Sequence, residues 1–484
     1  MNDNRLLVAG AGLAGCEAAW AAANAGIDVT LIEMKPEKRT PAHQGDGFAE
    51  LICSNSLKAA RLDSAAGLLK EELRRLGSVC MEAADGCAVP AGGALAVDRD
   101  RFSARVTERI LRHPRITVEH RELTDLPDSG AAVIATGPLT ADTLAARLRT
   151  FCGGALSFYD AAAPIVAADS VDMDSAFPAS RYGRDSGPPS YGRDGGPPSY
   201  GRDGGVPEGE NAGADRPSGD YLNCPLNKEE YEAFHAALVE AETAPLHEFD
   251  APADGALRVY EGCMPIEVLA KRGKDAIRFG PMKPVGLRDP RTGHRPWAVL
   301  QLRRENAQGT MFNLVGFQTN LKFGEQKRVF GMIPALKNAE FLRYGVMHRN
   351  TFLDSPRLLD AGFGFRARPG LFFAGQMTGV EGYMESAASG LLAGLNAVRF
   401  LRGEEAWVLP ADTMLGALAG YISDPSVRDF QPMGANFGVL PPLAEPIRDK
   451  RRRYAALSAR ALESLTRSAE AAGAALCSGT AGRP

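Results

Sequence analysis

The sequence predicts an α/β chain: a doubly wound, Rossmann-like nucleotide domain, discontinuous along the chain, with an inserted α+β domain. Three observations predict it. Near the N-terminus a glycine-rich turn lies between two short apolar runs. Late in the chain another apolar run meets a second glycine-rich turn and a helix of small residues. Between them lies a stretch of different composition, Gly/Pro-rich in one part and basic in another. With 484 residues, 45% hydrophobic and 24% charged, the chain has room for two or three domains, each with a buried core.

Arg5-Leu-Leu-Val-Ala9 reads as a strand. Gly10-Ala11-Gly12-Leu13-Ala14-Gly15 follows, then an alanine-rich helix from Cys16 to Ala25 that Gly26 ends. Ile27 to Ile32 is a second strand, closed by Glu33. The spacing suits a dinucleotide. The first glycine permits the tight turn, and the second lets the backbone approach a pyrophosphate at the helix N-terminus. The acid accepts hydrogen bonds from a ribose hydroxyl.

Ala131 to Thr136 is a third strand, ending at Gly137. Leu371 to Ala374 is a fourth, followed by Gly375, Gln376, Gly379, Val380, Glu381 and Gly382 and a helix from Ser386 to Arg399. A strand, glycine turn and helix this late complete the cofactor site of a doubly wound flavoprotein, with backbone N–H groups facing the pyrophosphate or the isoalloxazine. The expected division is therefore 1–150 and 350–450 for the two halves of the FAD-binding domain and 151–349 for the insertion. An alanine-rich C-terminal helix and tail fill 451–484.

A nonapeptide repeat opens at Tyr182 and recurs at Tyr191 and Tyr200. Residues 183–219 contain eleven Gly and six Pro and no Leu, Ile, Met, Phe, Trp or Cys. Such a segment cannot bury enough apolar area to offset its ordering entropy, and a disordered loop is the expectation. Charge is uneven. Sixteen Lys/Arg and five Asp/Glu lie between Lys271 and Arg349, a local +11 in a chain of net −4. A basic face on an otherwise acidic protein suits a polyanionic partner.

No apolar run approaches the roughly 20 residues that span a bilayer, so no membrane association is expected. Cys16, Cys53, Cys80, Cys87, Cys152, Cys224, Cys263 and Cys477 form no CxxC pair, and the seven histidines are dispersed, so no metal site is expected. Thiols without a secretion signal fit the reducing cytoplasm. Two stand out. Cys53 lies in Glu50-Leu-Ile-Cys-Ser-Asn-Ser-Leu57, among Ser and Asn. Cys224 lies in Leu222-Asn-Cys-Pro-Leu226, just after the repeat. A thiol in a polar turn is expected to be more accessible than one in an apolar helix.

Seven stretches together resemble one family: Gly10–Gly15, Glu50–Leu57, Tyr221–Pro225, Glu261–Glu267, Arg278–Gly286, Gly316–Gly324 and Gly375–Gly382. It is the folate- and FAD-dependent tRNA (uracil-5-)-methyltransferases, the TrmFO family, and the likeness runs from about Arg5 to Arg453. The repeat departs from the family's pattern. The resemblance implies FAD as cofactor, with 5,10-methylenetetrahydrofolate and NAD(P)H as co-substrates. It implies that the product is 5-methyluridine at uridine-54 in the T-loop of tRNA. It also implies that Cys53 and Cys224 are the catalytic pair.

A thiol suits this chemistry. Uracil C5 is a poor nucleophile, and thiolate addition at C6 makes it a good one. The basic segment then has a role: Lys271, Arg272, Lys274, Arg278, Lys283, Arg288 and Arg291 would line a groove for tRNA phosphates, positioning the RNA without reading bases. Rival readings are the same chemistry on ribosomal RNA, a wobble-uridine-modifying flavoprotein, a small-molecule flavin oxidoreductase and a non-catalytic RNA-binding flavoprotein. A monomer is favoured over an oligomer.

Overall fold

The structure is a computed structural model and describes residues 5–40, 43–152, 155–161, 163–181, 219–244, 264–345, 347–427 and 430–477. The nonapeptide repeat, Cys263 and the last seven residues lie outside the described residues.

In chain order the first half holds β1 (Arg5–Ala9), α1 (Leu13–Asn24), β2 (Asp28–Glu33), β3 (Ser56–Ala59), α2 (Ala65–Arg75), α3 (Val79–Gly86), β4 (Ala88–Val89), β5 (Ala94–Val97), α4 (Arg99–Leu111), β6 (Ile116–His120), β7 (Ala131–Ile134) and α5 (Asp142–Phe151). The middle holds β8 (Ala155–Ala161), β9 (Ile165–Ala167), β10 (Phe177–Pro178), β11 (Tyr221–Leu226), α6 (Lys228–Glu240), α7 (Ile266–Ala270), α8 (Ala276–Phe279), β12 (Ala298–Arg304), β13 (Met311–Leu314), α9 (Phe323–Phe330) and β14 (Phe341–Arg343). The chain returns through β15 (Met347–Leu353), α10 (Ser355–Leu358), β16 (Leu371–Phe373), α11 (Tyr383–Leu401), α12 (Met414–Ser423) and α13 (Lys450–Ala471).

Among the described residues the strands form four sheets. The first, in the order β16-β7-β1-β2-β6, is parallel throughout. Its strands β1, β7 and β16 are short and largely apolar, and α1 and α11 pack against the sheet. The second, β10-β11-β12-β13-β9-β14, is antiparallel and belongs to the insertion. An antiparallel ribbon of β8 and β15 joins the two, so the insertion leaves and re-enters the nucleotide domain side by side. A small sheet, β3-β5-β4, sits beside the segment that carries Cys53.

Local chemistry sets the helix starts. Asp98 caps α4 by accepting the Arg101 N–H at 3.1 Å. Asn227 and Glu230 form a reciprocal capping box on α6. Asp449 caps α13. In the core, α1 and α11 cross in backbone contact. A Cβ on Gly390 would stand 2.1 Å from the Ala14 carbonyl oxygen, and one on Gly394 would stand 2.6 Å from that of Ala18. The small residues that marked both helices in the sequence are what let them approach.

Candidate active site

The first glycine turn is built as its spacing predicts. Gly10 has φ +94°, and a Cβ there would meet the Ala135 carbonyl oxygen at 2.6 Å. A Cβ on Gly15 would lie 1.7 Å from the Gly10 oxygen, so the helix can start only with glycine there. At Gly12 nothing lies within 4 Å, which leaves open space over the N-terminus of α1. A helix start with a bare backbone approach is what a dinucleotide pyrophosphate requires. Ala11, Leu13 and Ala14 are buried around it. Glu33 is buried at the end of β2. Its oxygens accept the Ala11 N–H at 2.7 Å and the Lys35 N–H at 2.9 Å, so the acid ties β2 to the glycine turn as well as facing it.

The second turn uses part of its donor set internally. Gly375 donates its N–H to Ser389 Oγ at 2.7 Å, Gly379 to the Gln376 carbonyl at 2.9 Å and Glu381 to the Met433 carbonyl at 2.8 Å. Those three donors are spent holding the turn and do not face outward. Gln376 Nε2 donates to Glu381 Oε2 at 2.8 Å. Val380 is buried, and Gly382, at φ +128°, turns the chain into α11.

Cys53 lies where the two turns meet. Upstream in its segment, Ala49 donates its N–H to the Ala11 carbonyl at 2.9 Å. At the other end the hydroxyl of Tyr383, the first residue of α11, is 2.8 Å from the Cys53 nitrogen, 3.1 Å from the Ser54 nitrogen and 2.9 Å from Cys53 Sγ. A phenolic oxygen offers two lone pairs and one proton. The two N–H groups take the lone pairs, so the proton goes to the sulfur: Tyr383 donates and Cys53 accepts. Burial, and then the adjoining sulfur, push the phenol well above its usual range and keep that proton in place at neutral pH.

Three arginines grip the same loop. Arg99 donates to the Leu51 carbonyl at 2.7 Å and to Glu305 at 2.7 Å. Arg303 donates to Asn55 Oδ1 at 2.8 Å and Ser54 Oγ at 2.9 Å, and Arg343 to the Ile52 carbonyl at 2.6 Å. Glu305 is the buried carboxylate that pairs with Arg99, so positive charge is in excess at the loop and favours an anion there. Burial works against the charges of Arg303 and Arg343 and lowers both from their usual range.

Replacing Tyr383 with Phe removes the donor to the sulfur and leaves Arg99, Arg303, Arg343 and Glu305 in place. A thiolate loses more than a thiol when that bond goes. The pH at which Cys53 becomes half-maximally reactive toward iodoacetamide should therefore rise. Peptide mapping of Cys53 across a pH series measures it, and an unmoved midpoint would show that the proton is not on the sulfur.

Cys224 lies elsewhere. It is fully buried on β11, paired with Leu300 of β12, in the core of the insertion. Burial pushes its thiol well up. The expectation that it sits in an accessible turn is corrected: the residues form a strand. Leu222, Cys224 and Leu226 point into the core, while Tyr221 and Asn223 take the other face. Arg303, the cross-strand partner of Tyr221, shares that second face and holds Ser54 from it. The structure thus places the two sulfurs against opposite faces of one sheet.

Lys271, Arg272, Lys274, Lys283, Arg288 and Arg291 are exposed, and Arg278 is half-buried. Some of the seven are committed within the protein: Arg291 pairs with Asp289 at 2.7 Å, and Arg278 donates to the Trp297 carbonyl at 3.0 Å. The basic segment also divides. Arg303 and Arg343, counted in its charge, turn inward to Cys53. Among the described residues no helix is long and apolar enough to cross a membrane, and no group of three or more His, Cys, Asp or Glu could hold a metal ion.

The family described as Glucose inhibited division protein A matches residues 5–194 and 208–405. The match breaks inside the nonapeptide repeat. Among curated proteins the chain is similar to the Methylenetetrahydrofolate--tRNA-(uracil-5-)-methyltransferases TrmFO of three bacteria. With that of Enterococcus faecalis it shares 54% identity over 460 residues, 95% of this chain and 97% of that one. With that of Pelotomaculum thermopropionicum it shares 55% over 468 residues, covering 96% and 99%. With that of Moorella thermoacetica it shares 53% over 472 residues, covering 97% and 100%. Among solved structures it resembles Aquifex aeolicus GidA in its form I crystal, with a TM-score of 0.66 at 16% identity over 95% of this chain and 76% of that one, a likeness of fold.

Proposed function

Because the chain belongs to the Glucose inhibited division protein A family, and within it to the TrmFO methyltransferases, we propose that it methylates C5 of a tRNA uridine with the one-carbon unit of methylenetetrahydrofolate. The uridine is the T-loop residue 54, reached through the T-arm, and the setting is the cytoplasm. FAD fits the residues present, since the space over Gly12 and the Gly10 and Gly15 geometry form a pyrophosphate cradle that a side chain would fill. When bound, FAD supplies reducing equivalents, drawn from NAD(P)H, that turn a transferred methylene into a methyl.

The observation that carries the reading is Cys53. Its sulfur accepts a hydrogen bond from the Tyr383 hydroxyl, in a loop that bonds to the first glycine turn and to the start of α11 and is held by three guanidinium groups. Tyr383 orients the sulfur and the arginines hold its loop beside the cofactor cradle, where the thiol can act as nucleophile or base. The support for Cys224 is the family resemblance alone. The exposed lysines and arginines of the 271–291 segment supply phosphate contacts.

The test is direct. Purified protein given methylenetetrahydrofolate labelled at the methylene carbon, NAD(P)H and a T-arm minihelix should yield labelled 5-methyluridine. Product formed from S-adenosylmethionine instead would overturn the donor assignment, and RNA binding without product would overturn catalysis.

A further inference from the structure

We propose that Phe279 is a stacking platform for an unpaired base of the bound RNA arm, with the surrounding lysines on the flanking phosphates. The proposal rests on the tRNA reading above and deepens it by naming where the RNA lies.

Phe279 ends the short helix α8 and is 66% exposed, the most exposed of the large apolar side chains among the described residues. Its neighbours explain why it faces out. Ile277 and Met282 are fully buried and peg the segment to the core, and Met282 donates its N–H to the Ile277 carbonyl at 2.9 Å. The turn between them is tight, since a Cβ on Gly280 would stand 2.9 Å from the Ala276 oxygen. The ring is thus held outward by its anchors. Arg278 backs it: the guanidinium lies 3.9 Å from the centre of the Trp297 ring and 5.1 Å from that of Phe279.

The surroundings select the occupant. Lys271, Lys274 and Lys283, within eight residues of Phe279 along the chain, are exposed, and Asp275, near Arg278 at 3.4 Å, is the acid among them. Lysine is depleted where proteins bind one another. A bare aromatic ring among cations is instead the pattern that takes single-stranded nucleic acid, because every base has a face to stack and every phosphate a charge to pair. The segment also leads to the active site. Beyond Met282 it wraps the end of the sheet, and Leu287 packs on Val299 of β12. Four residues along the same face, Arg303 holds Ser54. Arg278, next to the ring, bonds to Trp297 just ahead of the same strand, six residues or about 20 Å of extended chain from Arg303.

The full chain, with its flavin, is titrated against a fluorescent T-arm hairpin. Phe279→Ala should weaken binding about ten- to hundred-fold, raise KM and leave kcat and the thermal midpoint unchanged. Phe279→Trp should bind as the wild type does. The slope of log affinity against log salt should stay the same in Phe279→Ala. It should become shallower by about 0.7 to 0.9 in Lys271→Ala and in Lys274→Ala, since each variant leaves one phosphate without its cation. Wild-type affinity in Phe279→Ala, or full affinity in Phe279→Leu, overturns the platform. So does a change of oligomeric state in Phe279→Ala without a change in RNA affinity, which would mark a face for a second copy of the chain. A wild-type chain that fails to bind the hairpin at low salt overturns this proposal together with the tRNA reading. A wild-type chain that methylates, matched by Phe279→Ala, overturns this proposal alone.

Discussion

Cys53→Ala is expected to abolish methyl transfer, by on the order of a thousand-fold or more, while the protein still binds flavin. The geometry supports both halves. The loop is held through its backbone, by Tyr383 at Cys53 and Ser54 and by Arg99 and Arg343 at Leu51 and Ile52. Alanine keeps those backbone bonds and removes the accepting sulfur. Single-turnover formation of 5-methyluridine, read beside the flavin absorbance, separates lost chemistry from lost cofactor. A variant that retained a tenth of the activity would take Cys53 out of the reaction. Cys224→Ser makes the companion measurement. Full turnover in that variant would leave the buried thiol a packing residue, and loss of turnover with an intact fold would require strand β11 to expose its inner face during the cycle.

Gly390→Val is expected to be a severely damaging change outside the chemistry. The added Cβ would be driven to 2.1 Å from the Ala14 carbonyl oxygen, and that neighbour is backbone and cannot rotate away. The helices α1 and α11 would have to part. Alanine residues 14, 18, 387 and 397 would lose their packing, and the glycine turn at the start of α1 would lose its support. A clash of this kind in a fully buried crossing costs about 4 kcal/mol or more. Thermal unfolding and the flavin-to-protein ratio measure it. A midpoint within a few degrees of the wild type, with full flavin, would mean that the two helices have slack.

The nucleotide domain was legible because its signals are local. Strand, glycine turn, helix, strand and acid fall within Arg5–Glu33, with the positive φ at Gly10 and the close approach at Gly15 that such a turn requires. The surroundings of Cys53 were not legible. Tyr383 and Arg303 come from chain segments hundreds of residues away, and no local pattern marks an arginine that will turn inward. The burial of Cys224 could have been read. Leu222, Cys224 and Leu226 alternate with period two, the signature of a strand face, but the adjacent Asn and Pro suggested a turn. The basic segment gave a correct sum and an incomplete picture, since a tally of charges does not say which of them the fold will use inside.

The nucleotide sheet has a consequence for biogenesis. Strand β7 ends at Ile134, and its neighbour β16 begins only at Leu371. A ribosome elongating at about 5–20 residues per second needs on the order of 12 to 50 s to cover that interval. Throughout it, one flank of β7 and the alanine surface of α1 have no partner, while the inserted sheet can complete itself. Nascent chains stalled before Leu371 therefore leave that flank open, and the nucleotide sheet can close only after the last quarter of the chain has begun to emerge.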